Sequence, residues 1–184
     1  MVVSQRATDD GKAIHLKPGM PLPRIFLPAT TGTAVCLADE PGLSVLIVYP
    51  WTGRPGHPNP PNWDDIPGAH GSTPELEGFC DHAADFTQLA VKLFGLSRQT
   101  TDWQREMAER LSLPFPVMSD RLGRMASALA LPTFTTGGEI YLKRLTLILR
   151  ASAIEAVFYP VPDPASHSGD VLRWFRRKIA VARS

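Results

Sequence analysis

The sequence predicts an α/β fold with a central mixed β-sheet flanked by helices. Three observations lead there. Apolar runs rich in β-branched residues alternate with segments whose apolar residues recur at steps of three and four. One run, LSVLIVYP at 43–50, is apolar almost without interruption and suits a strand buried on both faces. With 184 residues, 43% hydrophobic and 20% charged, the chain is long enough for one domain with a sizeable core.

Taken in order, residues 1–18 are polar and read as an extended or mobile arm, followed by a single domain at 19–184. PRIFLPATTGTAVCL (23–37) reads as two short strands around the turn TTG. The buried run ends at Pro50. Residues 50–71 form a long loop rich in Pro and Gly, of the kind that carries function or moves. A helix is expected over 73–91, with Leu76, Phe79, Cys80, Ala83, Phe86 and Ala90 on its apolar stripe. VKLFGLS (91–97) is a second buried strand, and TTDWQREMAERLSL (100–113) a helix opened by Thr101 or Asp102. FPVMSD (115–120) is a short edge strand and RLGRMASALAL (121–131) a short helix. RLTLILR (144–150) and AIEAVFYPV (153–161) pair as a hairpin, and SGDVLRWFRRKIAVAR (168–183) closes the chain as an amphipathic helix. Strands alternating with helices and ending in a hairpin make a thioredoxin-like sandwich the natural candidate. Such a fold places its chemistry beyond the carboxyl ends of the strands, beside a helix N-terminus.

Composition narrows the function. The net charge of +1 favours neither nucleic acid nor a membrane surface. The basic cluster near the C-terminus is interleaved with apolar residues and reads as the solvated face of a helix. No apolar run approaches the ~20 residues of a membrane span. The N-terminus lacks the apolar core of a secretory signal, which points to the cytoplasm. The two cysteines, Cys36 and Cys80, form neither a C-x-x-C nor a zinc pattern. No cofactor is expected, since no Gly-rich phosphate loop or flavin fingerprint is present.

The stretch GAHGSTPELEGFCDH (68–82) looks like the entrance to a helix. STPE fits a capping box, in which Ser72 would accept from the Glu75 N–H and Glu75 would reach back to the Ser72 N–H. Cys80, two turns on, lies on the apolar stripe as a small hydrophobe. Cys36 reads as a strand residue.

VYP (48–50), GSTPELEGFCDH (71–82), LFGLS (93–97), RLSLPFPVMSD (110–120) and KRLTLIL (143–149) follow one another in an order that carries a resemblance. They resemble the active-site helix and succeeding segments of the Q-type peroxiredoxins, the bacterioferritin-comigratory-protein branch of the AhpC/TSA-type superfamily. The resemblance covers residues 18–180. It implies a scaffold that reduces hydroperoxides with a cysteine thiolate, restored by a thioredoxin-type reductant, in a monomer or homodimer. The peroxidatic position falls on Ser72 and the resolving position on Glu77. The pocket arginine falls on Arg144, and Pro50 opens the active-site loop. The family's threonine position falls on Ala69, and the long insertion leaves Thr52 as its substitute. Thr73 follows the peroxidatic position in the pocket.

The chemistry of this change is definite. A helix N-terminus and a nearby arginine lower a thiol pKa from ~8.5 to as little as ~3.5–7.5. A serine hydroxyl in the same place stays protonated and is a poor nucleophile toward an O–O bond. Ser72 is therefore expected to abolish ordinary peroxidase turnover, whether it is a natural divergence or an engineered replacement. A change at Glu77 as well favours the former. Two other functions stay open: a cofactor-free transformation of a larger organic substrate in a pocket lined by Trp51, Trp63 and Arg144, and a non-catalytic binding module. Trp51 and Trp63 would line that pocket or anchor the loop. His57, His70, His82, Asp64, Asp65 and Asp81 follow no ligand spacing, so no metal is expected. His70 is a conceivable base for Ser72, although neighbours in a turn rarely align that way. Arg54 reads as a solvated loop residue.

Overall fold

The computed structural model describes residues 6–182. Its centre is a five-stranded mixed sheet with strand order β5-β4-β3-β8-β9. The strands are β3 (Leu43–Val48), β4 (Val91–Ser97), β5 (Val117–Ser119), β8 (Leu145–Arg150) and β9 (Ala153–Phe158). β3 and β4 run parallel, as do β4 and β5, while β8 lies antiparallel to both β3 and β9. β1 (Leu27–Pro28) and β2 (Ala34–Val35) pair as a small ribbon.

The alternation along β3 explains its nearly continuous apolar character. Val45, Ile47 and Tyr49 enter one core cluster, and Leu46 and Val48 the other. The first cluster also holds Leu76 and Phe79 of α1 (Ser72–Asp81), Phe86 of α2 (Ala83–Gln88), Met107 of α3 (Thr101–Arg110) and Phe175 of α5 (His167–Ala182). The second holds Met125 of α4 (Arg124–Ala128). The α/β architecture and the terminal hairpin follow the sequence expectation, as does the short edge strand β5.

Three local features differ from that expectation. The helix expected over 73–91 is two helices, α1 and α2, broken at His82. The His82 Nδ1 lies 3.0 Å from both the Gly78 carbonyl and the Ser168 hydroxyl, so the ring itself occupies the turn. A second hairpin, β6 (Thr133–Thr136) and β7 (Glu139–Leu142), stands in the segment between the short helix and the terminal hairpin, to which the sequence pattern assigns no element. Of the arm, residues 1–5 lie outside the described residues, but Ala13 and Leu16 are buried in the core and Asp10 pairs with Lys143 at 2.7 Å. Arg183, at the end of the expected closing helix, also lies outside them.

The β6–β7 hairpin holds the long 50–71 loop. Trp63 is buried, with its ring 5.7 Å from Phe134 and 5.1 Å from Tyr141. The Thr136 hydroxyl donates to the Pro61 carbonyl. Gly137 makes the contact possible: its φ is +57°, and a Cβ there would stand 2.9 Å from Pro61 Cδ.

Candidate active site

Ser72 is the first residue of α1 and is buried. The residue capping the helix is Gly71, in the left-handed region at φ +103°. A side chain at 71 would meet Pro164 Cγ at 2.8 Å as well. The expected capping box is therefore not formed. No side chain caps the helix, and the Glu75 N–H donates to the Gly71 carbonyl at 3.0 Å.

Both partners of that expected box are taken by Arg144, which stands just before β8 and is itself buried. Arg144 Nη2 donates to Ser72 Oγ at 3.1 Å and to the His70 carbonyl at 3.0 Å, and Nη1 pairs with the Glu75 carboxylate. One guanidinium thus ties the loop end, the first turn of α1 and the central sheet together. Burial pushes the Glu75 carboxyl up to about 7, although Arg144 pulls the other way. Its second oxygen, Oε1, finds no hydrogen-bond partner among the described residues.

Ser72 and Thr73 open into a pocket of about 240 Å³ walled by Trp51, Trp63, Ala69 and His70. The two indoles meet edge to face at 5.6 Å, so Trp51 and Trp63 both line the pocket and anchor the loop. Pro50 is buried where β3 ends. Thr52 is buried but does not line this pocket; its hydroxyl donates to Gln99 Oε1 at 3.0 Å. Its backbone N–H donates to the same oxygen, and its carbonyl accepts from Gln99 Nε2 and Trp103 Nε1. Gln99 and Trp103, neither singled out in the sequence, thereby fix the start of the loop.

His70 is engaged elsewhere. Its Nε2 lies 2.7 Å from Asp64 Oδ1, so the ring is not set as a base for Ser72. Among the described residues no group of His, Cys, Asp and Glu could hold a metal ion. Arg54 is not simply solvated: its guanidinium sits 4.9 Å from the Trp103 ring and pairs with Glu106 at 3.3 Å. Cys80 is half-buried, with its thiol 3.7 Å from the Ser112 carbonyl; burial, with Asp81 and Glu77 nearby, pushes that thiol up. Cys36 is buried just after β2, and both cysteines are free.

Residues 67–152, which include Ser72, Glu75 and Arg144, match the model of the AhpC/TSA family. Solved structures match over nearly the whole chain. Peroxidoxin BcpB from Mycobacterium tuberculosis is 24% identical with a TM-score of 0.72, covering 89% of this chain and 98% of that one. The chain has a peroxiredoxin fold. A cysteine-to-serine mutant of PrxQ from Xylella fastidiosa is 20% identical with a TM-score of 0.73, over 90% of this chain and 98% of that one. A bacterioferritin comigratory protein from Xanthomonas campestris, described for alkyl peroxide reduction, is 20% identical with a TM-score of 0.70, over 88% and 99%. No curated protein matches the chain. In this peroxiredoxin fold, no described helix is long and apolar enough to cross a membrane.

Proposed function

We propose that the chain is a peroxiredoxin of the Q-type branch in which Ser72 occupies the peroxidatic position, leaving a hydroperoxide-reducing scaffold without peroxidase turnover. The observation that carries this reading is the 3.1 Å hydrogen bond from Arg144 to Ser72 Oγ at the first turn of α1. A thiol at that point would meet a guanidinium and a helix N-terminus, the two influences that favour a thiolate. Its attack on a hydroperoxide would form an S–O bond and break the O–O bond, releasing an alcohol and leaving a sulfenic acid. Two thiols of a thioredoxin-type reductant would then restore the cysteine, giving a disulfide and water. With Glu77 five residues after α1 begins, no resolving thiol stands there, and the reductant would act directly on the sulfenic acid. A hydroxyl starts none of these steps. Two free cysteines suit a reducing compartment such as the cytoplasm.

The test compares the protein with Ser72→Cys in a peroxide-consumption assay with a thioredoxin system. Turnover only in the cysteine variant supports the reading. Turnover by the serine protein, or none by either, overturns it.

A further inference from the structure

The Trp51 indole belongs to two cavities. Besides the Ser72 pocket it lines a second one of about 150 Å³. Trp103 and Tyr141 form the other aromatic walls, and Arg98, Arg121 and Glu139 supply the charge. Arg121 is committed, because its Nη1 pairs with Glu139 at 2.9 Å. Arg98 makes no ion-pair contact of its own among the described residues, although its charge also acts on the Glu139 carboxylate. Its Nη2 makes one long bond, 3.3 Å, to the Arg121 carbonyl, and its Nε is buried without a hydrogen-bond partner. Two guanidinium groups against one carboxylate leave one positive charge in the cavity.

The Arg98 guanidinium is also seated. Gly123 lies against it, and a Cβ at that position would stand 2.5 Å from Arg98 Nη1. Trp103 is pinned by its bond to the Thr52 carbonyl at 2.8 Å, and its ring centroid lies 5.8 Å from that of Trp51. A planar cation with spare donors, held beside one pinned indole and its neighbouring ring, suits a planar organic anion. The carboxylate would take the guanidinium donors, and an aromatic body would pack among the rings.

We propose that this cavity binds a small aromatic carboxylate, with its anionic end on Arg98 and its ring among Trp51, Trp103 and Tyr141. The proposal does not rest on the role assigned to Ser72. Glu139, held by Arg121, forms the opposing acidic edge and selects against ligands carrying a second negative charge there.

Phenylacetate is the probe, titrated into the unmodified protein by calorimetry and by nuclear magnetic resonance of the indole N–H groups. Acetate lacks the ring and phenylacetamide lacks the charge; each is expected to bind about tenfold more weakly, or about 1.4 kcal/mol. The Trp51 and Trp103 resonances should shift while that of Trp174, on α5, stays in place. Arg98→Gln should lose about tenfold in affinity, and Arg98→Lys, which keeps the charge, should bind more tightly than Arg98→Gln. The proposal is overturned if phenylacetate does not bind, if phenylacetamide binds equally well, or if Arg98→Gln binds as tightly as the parent. Shifts at Trp174 without shifts at Trp51 and Trp103 would overturn it too.

Discussion

Arg144 holds Ser72 and Glu75 with the two ends of a single guanidinium: Nη2 lies 3.1 Å from Ser72 Oγ, and Nη1 pairs with the Glu75 carboxylate. The three residues are buried and come from the start of α1 and the edge of β8. What stands at position 72 therefore meets a fixed cation, whatever its own chemistry.

A thiol introduced there should be acidic. In Ser72→Cys the thiol at 72 is expected to titrate at least about one unit below the ~8.5 of a free cysteine, while Cys80 titrates above it. Thiolate absorbance against pH, with mass-spectrometric mapping of alkylation at neutral pH, reads both sites. Faster labelling of Cys80 than of position 72 would contradict the geometry.

The ion pair between Arg144 and Glu75 should behave as a buried pair that is costly to break and cheap to delete. Arg144→Met leaves a buried carboxyl without its cation and is expected to cost about 3–5 kcal/mol in urea unfolding. Arg144→Met combined with Glu75→Leu should recover most of that loss, since no buried carboxyl is then left without its cation. Equal losses in the single and double variants would show that the loss comes from packing rather than from the stranded carboxyl.

Stability should carry two opposed pH dependences. Glu75 is raised by burial from 4.5 to about 7, so the folded protein keeps a proton the unfolded chain has lost. Its contribution is complete below about 4.5 and disappears as pH rises through about 7. His167 is lowered by burial from 6.5 to about 4, and its Nε2 lies 2.9 Å from the Thr146 hydroxyl. Its contribution is complete above about 6.5 and disappears as pH falls through about 4. Between these limits the two slopes offset each other. Glu75→Gln should expose a stability that rises with pH over that window, and His167→Gln one that falls, both measured by denaturation at a series of pH values. The same slope in both variants would rule out this assignment.

Thr52 should act on the loop and not on the thiol. Thr52→Val removes the hydroxyl bond to Gln99 and keeps the backbone bonds, and is expected to cost about 1 kcal/mol of stability. Placed in the Ser72→Cys background, it should leave the acidity at 72 unchanged. A change in that acidity would mean that the hydroxyl reaches the pocket.

The sheet was legible because β3, β4 and β8 are largely buried and write that burial into nearly continuous apolar runs. Motif order put Ser72 and Arg144 side by side, and they lie 3.1 Å apart. Their connection to Glu75 was not legible, since S-x-x-E is also a local capping pattern, and the cation that takes both side chains lies 69 residues from Glu75. The break at His82 escaped because the apolar stripe continues through Phe79 and Phe86 on either side of it. The β6–β7 hairpin escaped because its strands, with residues such as Thr135, Glu139 and Ile140 exposed, lack the alternation that marks a half-buried strand. Arg54 looked solvated because its partners, Trp103 and Glu106, belong to a helix some fifty residues away.

The shared guanidinium also fixes the charge arithmetic of the site. With a hydroxyl at 72, one cation faces one ionisable acid, and the pair is neutral when Glu75 is ionised. A thiolate at 72 would put two anions against the same cation, and two acids that close must titrate as a coupled pair. Glu75, already poised about 7, is the group that would take the proton back. Exchanging sulfur for oxygen at residue 72 therefore relocates a proton one helical turn away, and the carboxyl of Glu75 is the place to observe it.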